Sequence, residues 1–452
     1  MLVVGLARTG VATALFCAKR GGEVTATDSR SAAEIGEAVN ALGDTGVRLE
    51  LGGHQEATFL KQDLIIPSPG VPVDTPALCV ARESGVTVWS EIELADRFLD
   101  GLLIGITGSN GKTTTTSLIA HILKQAGVPT ILAGNIGTPL ISCVEETNDK
   151  TVTVAELSSF QLELIETFRP NISVFLNLTP DHLDRHKTFE TYAAVKARIF
   201  ENQLHSDYAV LNADDPATAQ LVPSKPQVYW FSRKQRVAQG AFLRESEIVF
   251  RRESEERPVM RTQDIPLPGA HNLENVLAAV TAACLAGVQP EAIAKAVRSF
   301  AGVEHRIEFV AEIGGVRYYN DSKATNVDAT LKALEAFPGR ILVILGGKDK
   351  GSDYTALQKS LRQRAILALL IGAAAEKIEK QIAGAVAIEQ VGTLERALEI
   401  SSQAARPGDI VLLAPACASF DQFQNYEHRG RVFKELVRQM QRQTAMTSSG
   451  KG

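Results

Sequence analysis

Residues 103–123 read LIGITGSNGKTTTTSLIAHIL, and the rest of the chain is organised around them. A short apolar run (Leu102, Leu103, Ile104) leads into a turn of small residues. Gly111, Lys112 and Thr113 follow, and then apolar residues at helical spacing: Leu118, Ile119, Ile122 and Leu123. Strand, glycine turn, Lys-Thr and helix, in that order, make a phosphate cradle. Glycines let backbone N–H groups turn inward onto phosphate oxygens. The helix N-terminus adds partial positive charge, the lysine adds a full one, and the threonine hydroxyl can ligate Mg²⁺. One position departs from the usual pattern: Ile106 stands where a first glycine is expected, five residues before Gly111. Gly108, Ser109, Asn110, Gly111, Lys112, Thr113 and Thr114 remain, with glycine at both tight points. The competing reading is a glycine turn that only caps a helix, and the order of the three elements weighs against it.

Downstream of the cradle two strands end in polar clusters. The β-branched run at residues 151–155 ends at Glu156, followed by Leu157-Ser158-Ser159-Phe160-Gln161. Residues 172–176 form another strand and end in NLTPDHLDRH, residues 177–186. Both clusters can share the edge that holds the cradle. A carboxylate such as Glu156 facing Thr113 is what Mg²⁺ requires; a solvated acid at a helix start is the alternative. His182 and His186 are four apart and would face together on a helix, but proline and acids beside them suit a loop, and two histidines do not make a zinc site. Residues 189–202 read as a helix carrying Lys196, which on spacing alone is an ordinary surface lysine.

Composition bounds the rest. A chain of 452 residues holds two to four domains. Hydrophobic residues at 45% and charged residues at 22% are those of a soluble globular protein. A net charge of −5 without a long basic run argues against nucleic acid, and no apolar stretch approaches membrane-spanning length. The start, MLVVGLARTG, enters a strand directly, without the pattern of a secretory signal. Five scattered cysteines without CxxC spacing fit reduced thiols in a cytoplasmic protein and no structural zinc.

Residues 1–91 alternate strand and helix. GLARTG (residues 5–10) followed by Asp28 at the end of the next strand is similar to a dinucleotide-binding opening, although Ala7 replaces the middle glycine. A nucleotide-like ligand and a plain βαβ turn both fit. Ser68-Pro69-Gly70 follows a later strand, where open α/β sheets bind ligands, and Ser68 is equally a turn residue. Residues 227–265 read as a β-rich excursion. Asn272 and Asn275 then open a long alanine-rich helix, able either to read a purine edge or to cap the helix. From about residue 301 a third α/β unit begins. Its strand ends carry NDSKATN (320–326), GGKDKG (346–351) and PACASFDQF (415–423). Three polar loops at one kind of sheet edge point to a ligand site. Cys417 and Ser419 are not read as nucleophiles, since no histidine base is placed for them. Residues 444–452 read as a disordered tail.

Together these stretches, with GNIGTPL (134–140), ELSSFQLE (156–163), GAHNLEN (269–275) and EHRIE (304–308), resemble the Mur ligase family over nearly the whole chain. TGSNGKTT, ELSSFQLE and DHLDRH carry the superfamily; NDSKATN and ACASFDQF resemble its D-glutamate-adding branch. The chain departs from that pattern in its short start and in Lys348-Asp349 within the glycine-rich loop. The resemblance implies an α/β fold of three domains. Residues 1–91 would be an N-terminal Rossmann-like domain for the UDP-sugar. Residues 92–300 would be a central P-loop ATPase with a mostly parallel sheet, and residues 301–443 a C-terminal Rossmann-like domain for the amino acid. It implies an ATP-dependent acid–amino-acid ligase of cytoplasmic peptidoglycan precursor synthesis, joining D-glutamate to UDP-N-acetylmuramoyl-L-alanine through an acyl phosphate. The expected state is a monomer, with no nucleic-acid or membrane partner.

Position by position, the resemblance implies a catalytic set of Lys112, His182 and Lys196 and two Mg²⁺ sites. Thr113 and Glu156 would serve one; His182 and a carbamoylated Lys196 the other. Asp28, Ser29 and Arg30 match residues near uracil, Ser68 and Gly70 residues near the diphosphate, and Asn135 a muramoyl contact. Asn275, Arg306 and Asp321 match residues that hold adenine, phosphate and ribose. Lys323, Thr325, Lys350, Ser419, Phe420 and Tyr426 match contacts of D-glutamate. Rival readings are another Mur-type ligase or a folylpolyglutamate synthase, a P-loop kinase or motor, and a nucleotide-binding regulatory module. NDSKATN and GLARTG weigh against the first. A kinase would release no free phosphate, a motor needs no separate amino-acid pocket, and the coincidence of Lys112, Glu156, His182 and Lys196 weighs against a module without turnover.

Overall fold

The computed structural model describes the backbone of residues 1–449. Its contacts divide the chain into two compact units: Met1–Asp264 with Glu274–Ser299, and Ile265–Leu273 with the chain from Phe300 onward.

The first unit holds two sheets. The N-terminal one comprises β1 (Leu2–Val4), β2 (Thr25–Asp28), β3 (Arg48–Leu51), β4 (Leu64–Pro67) and β5 (Thr87–Val88). Their order is β3-β2-β1-β4-β5 and every pairing is parallel. The strand order reverses at β1, so a crevice opens beyond the ends of β1 and β4. GLARTG follows β1 and Ser68 follows β4. The two loops touch: Ser68 Oγ donates to Gly5 O at 2.6 Å. A Cβ on Gly10 would lie 1.9 Å from Gly5 O, so only glycine lets the first helix approach its strand this closely.

The second sheet comprises β6 (Leu102–Thr107), β7 (Thr130–Gly134), β8 (Val152–Glu156), β9 (Ile172–Phe175), β10 (Tyr208–Asn212), β11 (Gln227–Ser232), β12 (Gly240–Arg244), β13 (Glu247–Arg252) and β14 (Glu255–Arg261). Their order is β14-β13-β12-β11-β10-β9-β6-β8-β7. The β12–β13 and β13–β14 pairings are antiparallel and the others parallel. β6 lies inside the sheet between β9 and β8. That position explains its unbroken apolar run, since a parallel strand is covered on both faces. The excursion read at residues 227–265 is the extension of this sheet. Val3, Leu6 and Phe16 share one buried apolar cluster with Leu103, Leu140 and Phe175. The two sheets therefore pack as one unit.

The second unit holds β15 (Glu308–Ile313), β16 (Val316–Asn320), β17 (Ile341–Gly346), β18 (Ala365–Ile371), β19 (Ala387–Gly392) and β20 (Ile410–Leu413). Their order is β15-β16-β20-β17-β18-β19, antiparallel only between β15 and β16.

Three local readings change. The loop expected around His182 contains a helical turn, Leu183–His186, entered through His182 at φ 51°. The helix expected over residues 189–202 is α-helical over Phe189–Ala197 and tightens to a 3₁₀ turn at Arg198–Phe200. The tail expected to be disordered from residue 444 instead continues the helix Tyr426–Ser449, because once a helix is nucleated each further residue adds a backbone bond. Residues 450–452 of that tail lie outside the described residues. Among the described residues no helix is long and apolar enough to cross a membrane.

Candidate functional site

The cradle forms where β6 runs out. Gly111 precedes the helix Lys112–Gln125 with φ 83°. A Cβ there would lie 2.3 Å from Asn275 Oδ1. Left-handed backbone and lack of room both demand glycine. Asn275 Oδ1 also accepts a bond from Thr115 Oγ1 at 3.3 Å, so this asparagine buttresses the cradle from the helix Ala270–Leu285. Asn272 Nδ2 donates to Pro268 O at 2.7 Å, a bond back to the turn that precedes the helix.

Loop and neighbouring strand end are laced together. Ser109 N–H donates to Asn177 O (3.0 Å) and Asn110 N–H to Asn177 Oδ1 (2.8 Å). Thr179 N–H donates to Ser109 Oγ (2.9 Å), which lies 3.1 Å from Tyr192 Oη. Lys112 Nζ donates to Gly108 O (2.8 Å) and Ser109 O (3.0 Å), which holds its charge against the loop. Thr113 and Thr114 are buried in the first turn of the helix.

Two ionisable groups are buried at this edge. Glu156, at the end of β8, is 2% exposed; its Oε1 accepts a bond from Asn135 Nδ2 at 2.9 Å, and its Oε2 is buried with no hydrogen-bond partner. An orphaned carboxylate oxygen is costly unless something absent from the protein chain meets it. Lys196 is also 2% exposed and donates to Gly108 O (2.9 Å) and Thr107 Oγ1 (3.2 Å). Burial, helped by the Lys112 charge, holds its amine well below the ordinary lysine range. It is therefore no surface lysine.

The two histidines both pack on Phe160 but differ in burial. His186 is buried, with Nε2 3.0 Å from Ser159 Oγ and burial lowering its pKa. His182 is half exposed, its ring edge-on to Phe160 at 4.9 Å and its Nε2 3.6 Å from Asp181 Oδ2. Among the described residues no three His, Cys, Asp or Glu side chains gather as a metal-ligating group.

In the N-terminal sheet Asp28 is committed inside the chain. Leu6 N–H donates to its Oδ2 (2.7 Å), and Arg30 bonds it through N–H (2.9 Å), Nε (3.0 Å) and Nη2 (2.8 Å). The Arg30 guanidinium holds this carboxyl well below the usual range. Ser29 is exposed, and a side chain on Gly70 would meet open space. Sequence reasoning did not select Arg185. Its guanidinium donates to Pro69 O (3.2 Å) and Val71 O (3.0 Å), pairs with Glu163 and lies over Phe160 at 4.4 Å. It ties the Ser68–Gly70 loop to the central sheet. Its place inside DHLDRH was the available signal.

The second unit gathers the three polar loops at one edge of its own sheet. Asp321 is buried past β16; Ile307 N–H donates to its Oδ1 at 3.3 Å, and burial, opposed by Arg306, pushes its carboxyl up to about 7. Lys323 Nζ donates to Tyr426 Oη at 3.3 Å. Lys348 and Ala418 exchange backbone bonds (2.9 and 3.2 Å), joining the loops that carry Lys350 and Ser419. Ser419 is buried, Lys350 exposed, Thr325 half-buried, and Phe420 is 66% exposed. Two organising residues escaped the sequence reading. Arg429, fully buried, donates to Ser322 Oγ (3.0 Å), Ser322 O (2.9 Å) and Cys417 O (3.2 Å). Tyr354 donates to Asp349 Oδ1 (2.8 Å) and lies 3.0 Å from Cys417 Sγ.

A parallel sheet whose inner strand runs into a glycine loop, a lysine and a helix defines an α/β protein of the phosphate-loop class. Comparison with known proteins narrows this. Three family models match: Mur ligase MurD-like, N-terminal domain, at residues 1–90; Mur ligase middle domain at 106–283; and Mur ligase, glutamate ligase domain, at 305–417. The chain is 56% identical to the UDP-N-acetylmuramoylalanine–D-glutamate ligase of Koribacter versatilis, over 98% of each chain. It is 54% identical to the ligase of the same name from Acidobacterium capsulatum, over 97% of this chain and 95% of that one. Among solved structures, the MurF ligase of Thermotoga maritima in complex with ADP matches with a TM-score of 0.60 at 16% identity, over 92% of this chain and 95% of that one. The chain thus has the three-domain Mur ligase fold and belongs to the Mur ligases, in their UDP-N-acetylmuramoylalanine–D-glutamate ligase family.

Proposed function

We propose that this protein joins D-glutamate to UDP-N-acetylmuramoyl-L-alanine, with ATP, in cytoplasmic peptidoglycan precursor synthesis, and works as a monomer. The observation that carries the reading is the meeting of Lys112 and Lys196 on the carbonyl of Gly108, with the orphaned Glu156 oxygen at the end of the adjacent strand. Mere nucleotide binding needs no such buried acid and amine.

The reaction has two steps. The L-alanyl carboxylate attacks the γ-phosphorus of ATP; ADP leaves and an acyl phosphate forms. The amine of D-glutamate then attacks the acyl carbon, loses a proton and expels phosphate. The first step brings anions together, so positive charge comes first. Lys112 and the N–H groups of residues 111–114 would supply it at the phosphates. The donor set fits Mg²⁺: Thr113 and Glu156 would hold one ion, because a hard cation takes a hydroxyl and a carboxylate and keeps waters for the rest. Mg²⁺ there would neutralise phosphate charge. His182 and a carbamoylated Lys196 would hold a second. Asn275 would flank the adenine, with Arg306 and Asp321 for phosphate and ribose. Asp28, Ser29, Arg30, Ser68, Gly70 and Asn135 would serve the UDP-sugar, in a domain of residues 1–91 beside an ATP domain of 92–300. Lys323, Thr325, Lys350, Ser419, Phe420 and Tyr426 would serve D-glutamate in a domain of 301–443, its two carboxylates calling for cations and hydroxyls.

The test is phosphate release from ATP and Mg²⁺ with UDP-N-acetylmuramoyl-L-alanine, comparing D-glutamate, L-glutamate and no amino acid. Release that needs D-glutamate, with a product heavier by one glutamyl residue, is expected. No release with any combination would send the acceptor to another muramoyl-peptide or folate substrate. Glu156→Gln keeps an oxygen for Asn135 and removes the charge. Its Mg²⁺ half-saturation should rise by about 100-fold or more. An unchanged Mg²⁺ titration would remove Glu156 from the metal site.

A further inference from the structure

Glu91 is a buried acid that the chemistry above does not use. It opens the short helix Glu91–Asp96, which leads into β6. It is 1% exposed, its Oε1 accepts the Ile141 N–H at 2.7 Å, and its Oε2 is buried without a hydrogen-bond partner. Burial pushes the carboxyl up to about 7, with the backbone N–H groups of Ile141 and Leu140 opposing. Ile141 belongs to the 3₁₀ turn Leu140–Ser142, which closes the GNIGTPL loop. The other end of that loop is Asn135, whose N–H donates to Glu156 O (2.8 Å) and whose Nδ2 donates to Glu156 Oε1 (2.9 Å). Gly134 N–H donates to Thr138 O at 2.9 Å, so the loop is a closed hairpin between these two anchors. A buried acid is costly where an apolar residue would pack freely, and the backbone bond to the turn is what it supplies in return.

We infer that Glu91 is a positioning residue for the sugar-binding loop: by pinning the Leu140–Ser142 turn it sets where Asn135 stands against Glu156. The inference rests on the proposed function for its ligand. The two acids then hold opposite ends of one loop, Glu156 at the catalytic edge and Glu91 behind it. Loosening the rear anchor lets Asn135 drift, which weakens the sugar without touching the acceptor loops of the second unit.

Calorimetry and steady-state kinetics on the full chain test this with Glu91→Ala and Glu91→Gln. Glu91→Ala should weaken binding of UDP-N-acetylmuramoyl-L-alanine, and raise its KM, by about ten-fold. The KM for D-glutamate should stay within two-fold. Glu91→Gln keeps an oxygen for the Ile141 N–H, so it should restore sugar affinity to within about three-fold of native and melt above the alanine variant. A merely structural role would lower the melting temperature and leave the sugar constants of the folded protein unmoved; that result overturns the inference. Equal rises in the KM for sugar and for D-glutamate overturn it too. Native protein that does not bind the sugar at all would instead overturn the proposed function, and the inference with it.

Discussion

Lys196→Ala is expected to abolish ligase activity, by about 1,000-fold or more, with the protein still folded. The amine sits 2.9 Å from Gly108 O at the entry to the phosphate cradle. As an ammonium it would face the Lys112 charge in a buried site; as a neutral amine it does not, and burial and Lys112 both favour that state. A neutral amine adds CO₂: the nitrogen lone pair forms the N–C bond, a proton leaves, and a carbamate results. That turns a would-be cation into an anion able to serve the second Mg²⁺ site proposed for it. Two further results should follow. Acetate or propionate should partly restore the alanine variant by entering the space vacated by the side chain, and native protein exposed to ¹³CO₂ should give a carbamate resonance that the variant lacks. Full activity of Lys196→Ala would sink the assignment. The stability sign separates chemistry from misfolding. The folded pKa lies below the ordinary 10.5, so the unfolded chain binds more protons and stability is lost as pH falls from 10.5 toward the folded value. Lys196→Met removes that penalty. It should be inactive at neutral pH yet melt no lower than native.

What could be read from sequence was what is local in sequence. The cradle lies within eight residues, 107–114, and its order of strand, turn and helix carried it. Its supports come from far away: Tyr192, Asn177 and Asn275 reach it across 83, 67 and 160 residues. No periodicity announces such contacts. Glu156 was legible as an acid at a strand end, but its orphaned oxygen is visible only once β8 lies beside β6. Lys196 read as a surface lysine because its helix, Phe189–Ala197, has no clear apolar stripe; the burial comes from the sheet edge it covers. The four-residue spacing of His182 and His186 would face them together on a helix, but the proline and acids beside them read as a loop. The chain makes a single helical turn entered through a left-handed His182, and both rings reach Phe160, one exposed and the other buried. The polar strand-end loops of the second unit were legible as sequence, and the structure sets them at one edge of its sheet. Arg429 and Tyr354, which join those loops, looked like helix and loop residues of no distinction. Nothing in the pattern tells that residues 265–273, between the central sheet and its own last helices, join the second unit.

Gly111→Ala should remove nucleotide binding by two separable routes, and a double variant can tell them apart. The first route is conformational. At φ 83° an alanine costs about 1–2 kcal/mol, which the loop can only relieve by turning its N–H groups away from the phosphates. The second is steric. The new methyl would stand 2.3 Å from Asn275 Oδ1, so the asparagine must leave, and its bond with Thr115 goes too. Together these should weaken ADP or ATP by about 100-fold or more, read by calorimetry. Adding Asn275→Gly vacates the colliding amide but leaves the backbone strain. The double variant should therefore recover part of the melting temperature lost by Gly111→Ala and none of the nucleotide affinity, because the backbone strain stays and the adenine contact proposed for Asn275 is lost as well. If Gly111→Ala alone binds nucleotide as native does, the loop at residues 108–111 is a helix cap and not a phosphate cradle. The second reading of that stretch would then be the right one.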